Sequence, residues 1–237
     1  MEKNSATTIE DTLLSFDALH DSYEELVRAL HGRSRLPPAR TAQVPWPMAL
    51  ICRDLDAPVN RDLALTAPPL IVTQLSYNRY ANFDFSEAFY RLFLDSIARA
   101  GVRGVEVIIV LPPMSQYELE SLRLSGEWPA FMNFKRRLAA IQPFWDFSGY
   151  NPVARSDQLF SDVIHTRAGV GQLILRVALG KDTSPCGERA RAVIESGVRV
   201  DRSNIEDVIA SQQRMEQLAA RDGSRYSRAA AEAMVIR

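Results

Sequence analysis

Cysteine, histidine and lysine are all scarce in this chain. Cys52 and Cys186 are the only two cysteines among 237 residues. Neither has a second cysteine or a histidine at metal-ligand spacing, so the pattern indicates neither a zinc site nor a disulfide framework and predicts two plain thiols. Lys3, Lys135 and Lys181 are the only lysines among 28 basic residues, which stand against 29 acidic ones for a formal charge of -1. The arginines are scattered among acids, so no field draws the chain to nucleic acid or to an anionic membrane. Long apolar runs are missing as well. Runs such as residues 107–114 and 68–72 are far too short to cross a bilayer, and the first ten residues are polar with charges of both signs. No signal peptide or membrane span is expected in this chain, which makes the cytoplasm the default location. Glycine is sparse at the front, Gly32 being the only one before Gly101. No G-x-G-x-x-G or G-x-x-x-x-G-K loop occurs to cradle a phosphate, and no cofactor is expected.

What the chain does have is 46 % hydrophobic residues arranged in short periodic blocks. That suits one compact domain, or one domain with an extension. Leu13, Leu14, Phe16, Leu19, Leu26, Val27 and Leu30 predict a first helix stopped by Gly32, and the prolines between 37 and 69 then break regular structure, so residues 1–69 read as a helix plus an irregular segment. Residues 70–75 suit a short strand. Asp84 and Glu87 form a D-x-x-E cap ahead of Phe85, Phe89, Leu92, Phe93, Ile97 and Ala100, which predicts an amphipathic helix up to Gly101. The β-branched run from Val105 to Leu111, closed by Pro112 and Pro113, suits a strand buried on both faces of a parallel sheet. Pro129 opens another helix, with Phe131, Phe134, Leu138 and Ile141 on one face, leading to a second strand over residues 144–148. A loop over 149–165 precedes a helix carrying Val170, Leu173, Ile174 and Val177. Residues 70–182 therefore read as an α/β portion with a short parallel sheet flanked by helices. Residues 183–237 read as a helical extension outside it, with Ser203 and Glu206 as a capping box ahead of Ile205, Val208, Ile209, Met215 and Leu218.

Among the three histidines, His20 and His31 lie on or at the end of the first predicted helix, where His31 suits the negative end of a helix dipole. His165 stands instead on the connection after a predicted parallel strand, where α/β folds place their sites. Asp162 precedes it by three residues. In a turn that spacing brings a carboxylate to the imidazole, fixing its tautomer and stabilising the imidazolium formed when the ring takes a proton. An Asp capping a turn beside a surface histidine has the same pattern. Other constellations are weaker: Glu118 and Glu120 point apart on a helix, so they make no glycosidase pair. Asp146 suits a turn cap. Tyr77, Tyr80, Tyr90, Trp128 and Trp145 suit core or rim positions, since no basic surface run interleaves with them.

The stretch from Val105 through Gly180 resembles the C-terminal half of the SGNH/GDSL hydrolase superfamily. The resemblance is carried by the strand ending in Pro112-Pro113, by the strand containing Trp145-Asp146-Phe147-Ser148, and by Asp162-x-x-His165 followed by Gly169 and a helix. Leu111-Pro112-Pro113, Trp128, Lys135 and Asp146 through Asn151 look like bacterial SGNH-like proteins linked to cell-surface or polysaccharide modification. It covers about a third of the chain. The resemblance implies an esterase or O-acyltransferase type of hydrolase chemistry, with His165 as general base, Asp162 orienting it, and an acyl ester or acylated saccharide as substrate. The family's serine block and its glycine and asparagine oxyanion donors have no counterpart: no Gly-Asp-Ser occurs before residue 105, and Asn78 and Asn82 lack a Gly-x-Asn setting. Ser76 and Ser148 are poor substitutes, Ser148 suiting a structural hydroxyl. Two accounts of the chain stay open, one as an SGNH-like serine hydrolase or its C-terminal portion, the other as a catalytically silent SGNH-like interaction or assembly protein. So short a sheet also predicts self-association, or completion by a segment encoded elsewhere.

Overall fold

A computed structural model describes residues 46–59, 80–81, 85–162 and 164–221. The helix expected over 13–30, the strand over 70–75, Ser76, His20, His31 and Asp84 lie outside the described residues. In chain order the elements are α1 (Met48–Asp56), α2 (Glu87–Val102), β1 (Ile109–Leu111), α3 (Gln116–Leu124), α4 (Trp128–Ile141), β2 (Phe144–Asp146), a 3-10 turn (Asp157–Leu159), α5 (Ala168–Ala178), α6 (Glu188–Ser196), β3 (Val198–Val200) and α7 (Ile205–Arg221). The described architecture is mixed α/β.

The sheet runs β1-β2-β3. β1 and β2 pair in parallel, Ile109 against Phe144 and Leu111 against Asp146, with α3 and α4 in the crossover between them. β3 pairs with β2 antiparallel, Phe144 against Val200 and Asp146 against Val198. The expected all-parallel sheet is thus corrected to a mixed one. The segment expected as a helical extension supplies a strand to the sheet, and its last helix packs on α4.

Alternation along the strands sorts the core into two layers, because successive side chains leave a strand on opposite faces. Ile109, Phe144 and Val200 join one cluster with Leu138 and Met132 of α4, Leu119 of α3 and Ile205 and Ile209 of α7, and Phe93 and Ile97 of α2 pack against it. Val110 and Trp145 face the other cluster, built on Ile51 and Leu55 of α1, Val170, Leu173 and Ile174 of α5 and Ala190 and Val193 of α6. Helices therefore cover both faces of the β1–β2 pair, which is why its strands read as near-continuous apolar runs. Burying side chains such as Phe144, Leu138 and Leu173 contributes about 1.5–3 kcal/mol each.

Capping differs from expectation at two helices. Ser86 caps α2, accepting from the Phe89 N–H at 3.3 Å, while Glu87 forms a two-pronged pair with Arg137 of α4 at 2.5 and 2.8 Å. Ahead of α7 the Ser203 hydroxyl donates to Asp201 Oδ1 at 2.6 Å, and Glu206 pairs with Arg136, so neither half of the expected capping box forms. In both places a two-pronged arginine on the neighbouring helix takes the carboxylate that a box would have turned back on its own backbone.

A disulfide joins Cys52 of α1 to Cys186 in the connection before α6, with the two Cα atoms 5.9 Å apart. The expectation of two plain thiols is corrected. Packing of α1 against α5 and α6 brings together residues 134 positions apart, which no sequence spacing reports.

Candidate functional site

The site lies on the connection from the carboxyl end of β2 to α5. At the end of β2 stands a buried polar cluster. Both carboxylate oxygens of Asp146 are used: Oδ1 accepts from the Ser148 N–H at 2.9 Å and its hydroxyl at 2.6 Å, and Oδ2 accepts from Lys135 Nζ at 2.8 Å and Gln212 Nε2 at 3.0 Å. Lys135 also donates to Gln212 Oε1 at 2.6 Å and sits 4.6 Å from the Phe131 ring centroid. Burial pulls the Lys135 ammonium below the ordinary lysine range, against the opposing pull of Asp146. Gly149 follows with φ +104°, a conformation that favours glycine, and a Cβ there would come within 3.1 Å of Gln212 Cδ. Ser148 is thereby a structural hydroxyl.

A second buried group stands beside it. Glu120 accepts from the Tyr150 hydroxyl at 3.0 Å and from Arg123 at 2.7 and 3.1 Å, while Glu118 closes a capping box with Ser115. Burial, with the Glu120 charge behind it, raises the Tyr150 phenol well above its ordinary value. The two glutamates thus serve separate structural partners.

From Tyr150 the chain is pinned turn by turn. Asn151 donates to the Phe147 carbonyl at 2.8 Å and accepts from the Ala154 N–H at 3.0 Å, and Gln116 donates to the Ala154 carbonyl at 2.9 Å. After the 3-10 turn, Phe160 and Thr166 form an isolated antiparallel bridge, and the Ser161 N–H donates to the His165 carbonyl at 2.8 Å. This closes a tight loop that presents Asp162 and His165.

Within that loop the structure brings the two sequence-identified residues together. Asp162 Oδ2 lies 2.6 Å from His165 Nδ1, and Oδ1 accepts from the backbone N–H groups of Ile164 and His165, each at 2.7 Å. Partial burial alone would raise the Asp162 carboxyl. The N–H donors of His165 and Ile164 and the imidazole outweigh it and hold the group below the ordinary aspartate range. The pair is open to solvent, with 61 % of the His165 side chain and 45 % of the Asp162 side chain exposed. No serine hydroxyl bonds the His165 ring among the described residues. Also among the described residues, no group of three or more His, Cys, Asp or Glu side chains is placed to hold a metal, and no helix is long and apolar enough to cross a membrane.

Sequence reasoning missed the residues that close the loop from outside. Arg167, 8 % exposed, donates to the carbonyls of Asp54, Ala57 (2.9 Å) and Gln158 (3.3 Å). The Asp54 carboxylate accepts from the Gly169 N–H at 2.9 Å. Most of these acceptors are backbone, so nothing in the residue pattern announces them.

Comparison with protein-family models, with curated protein sequences and with solved structures yields no match to this chain.

Proposed function

We propose that Asp162 and His165 are the orienting and proton-carrying residues of an ester-hydrolysing or acyl-transferring site of SGNH/GDSL type. The observation that carries the reading is the fixed arrangement of the pair: one Asp162 oxygen faces His165 Nδ1 at 2.6 Å while the other is held by two backbone N–H groups. An aspartate so fixed accepts the Nδ1–H of the neutral ring and leaves the lone pair on Nε2. Nε2 then takes the proton of a hydroxyl as its oxygen attacks an ester carbonyl. The carboxylate stabilises the resulting imidazolium, and Nε2–H returns the proton to the departing alkoxide. The resemblance makes an acyl ester or acylated saccharide the substrate class and a serine the nucleophile. Labelling the full chain with a fluorophosphonate probe, read by intact mass, tests the reading. Labelling that disappears in His165→Ala supports it, and labelling or ester turnover unchanged in that variant overturns it.

The exposure of both side chains favours a second reading, a catalytically silent SGNH-like interaction or assembly protein in which Asp162 only caps its turn. Under that reading neither wild type nor His165→Ala labels. Either form can self-associate through β1, an outer strand of the sheet among the described residues, beside which Val105 and Ile108 are exposed. Sedimentation that shows only monomer removes self-association from both.

A further inference from the structure

We propose that Arg167 is a positioning residue for His165, acting by anchoring the dyad loop to helix α1; the inference rests on the reading of Asp162 and His165 as a functional pair. Arg167 is two residues beyond His165 and is the last residue before α5. Its backbone closes the loop, since the N–H donates to the Leu159 carbonyl at 3.0 Å and its own carbonyl accepts from Val170 and Gly171. Its side chain performs a second closure. The guanidinium reaches the Gln158 carbonyl on the incoming arm of the loop and the Asp54 and Ala57 carbonyls at the end of α1, with Nε 3.6 Å from Asp54 Oδ2. One nearly buried cation thus ties both arms of the loop to a third element.

The end of α1 is built to receive it. The last carbonyls of a helix lack partners within the helix and carry the negative end of its dipole. Arg167 and Arg189 take them, Arg189 donating to the Leu55 carbonyl at 2.5 Å. The Asp54 carboxylate completes the clamp from the other side by accepting from the Gly169 N–H in the first turn of α5. A Cβ at residue 169 would lie 2.5 Å from Asp54 Oδ2 and 3.1 Å from Asp54 Cβ, so this approach requires glycine. Helix α1 is itself held by the Cys52–Cys186 bond and by Ile51 and Leu55 in the core. Between the two arms, the described residues of the loop that carries the dyad are held by short local bonds: the Phe160–Thr166 bridge, the Ser161 to His165 hydrogen bond and the Asp162 carboxylate on the Ile164 and His165 N–H groups. Releasing Arg167 leaves the arm that carries His165 held by these local bonds alone and gives His165 freedom to shift against Asp162. A planar guanidinium can serve three carbonyls and a carboxylate together, whereas a lysine ammonium, with three donors on a flexible stem, reaches fewer of them.

The test reads the imidazole itself. The full chain is labelled with 15N-histidine and observed above the pH at which the ring loses its charge, with His165→Ala identifying the His165 signals among the three histidines. In wild type the nitrogen shifts report a proton on Nδ1 and none on Nε2. In Arg167→Ala that bias falls toward an even mixture, in Arg167→Lys part of it returns, and the rate of fluorophosphonate labelling drops about tenfold or more with the misplacement. An Arg167→Ala chain with wild-type circular dichroism, a cooperative melt and an unchanged tautomer ratio overturns the proposal. Should that variant not fold, Arg167→Lys carries the same test, because a single ammonium cannot serve all three carbonyls, and an unmoved ratio there is equally fatal. A ratio that responds while wild type never labels retires the hydrolase reading and keeps the positioning role. A ratio that does not respond while wild type labels through His165 does the reverse.

Discussion

The Lys135 ammonium lies 2.8 Å from Asp146 Oδ2, and both side chains are buried, at 0 % and 1 % exposure. One partner comes from the face of α4 and the other from the last residue of β2, so the pair joins the crossover helix to the strand end from which the candidate site departs.

Removing one member of this pair costs far more than the pair contributes. Lys135→Met leaves Asp146 with its Ser148 and Gln212 donors but no cation, which is expected to destabilise the fold by about 3–5 kcal/mol, because the remaining charge is buried without compensation. Asp146→Asn leaves the ammonium facing only Gln212 Oε1 and has a cost of the same order. The double variant Lys135→Met/Asp146→Asn is expected to lose less than the two single losses combined, since it carries no orphaned charge, with a coupling of about 0.5–3 kcal/mol. Urea unfolding of the four chains measures the cycle. Additive losses would mean that the two residues stabilise the fold independently.

The disulfide gives an expectation of another kind. Cys52 and Cys186 close a loop with a sequence separation of 134. A cross-link over so long a stretch restricts the unfolded chain strongly, and its loss is expected to cost about 2–5 kcal/mol. Chain made in an oxidising compartment should show no free thiol and an intact mass two hydrogens below the reduced value, which departs from the cytoplasmic default of the sequence reading. Cys52→Ser/Cys186→Ser should unfold at lower urea concentration than the oxidised wild type and match the wild type kept in dithiothreitol. Two titratable thiols in the native oxidised preparation would refute the bond.

How much of this was legible in the sequence follows the range of each interaction. β1 announces itself through a β-branched run and β2 through a short aromatic one, each after a helix of clear period, and Asp162 with His165 through a three-residue spacing that a turn closes locally. β3 is three residues long with only Val200 buried, too short to show a period, and its antiparallel pairing is decided by where α6 delivers it. The disulfide depends on the docking of α1, and Arg167 acts chiefly on carbonyls, which every residue possesses and which therefore leave no trace in side-chain pattern. Ser203 and Glu206 were misleading for a related reason: a good local motif lost to an Asp201 turn and to an arginine on a neighbouring helix.

The acid response of the dyad loop follows from the direction in which Asp162 is shifted. Its carboxyl is held below the ordinary aspartate value in the folded chain, so the folded state binds that proton less readily than the unfolded state. The contribution is then fully present above the unfolded value of about 3.9 and is lost as the pH falls through the lower folded value. With nearly half of the side chain in water, the effect on global stability is small. The loop itself reports it better. The Ile164 and His165 amides both donate to Asp162 Oδ1, so their protection against hydrogen exchange, corrected for the intrinsic pH dependence, should hold constant from neutrality to about pH 5 and fall below about pH 4. In Asp162→Asn the side-chain oxygen remains an acceptor but carries no charge. Protection of the two amides should be lower than wild type at neutral pH and should not fall further on acidification. The Ser161 amide, which donates to the His165 carbonyl, is the internal control, since its acceptor does not titrate in this range and it should follow the other two only if the loop opens as a unit. Wild-type protection at Ile164 and His165 that is indifferent to pH down to 3, or an Asp162→Asn chain that matches wild type at neutrality, would show that the carboxylate does not hold this turn, and the fixed geometry of the Asp162–His165 pair would then need another source.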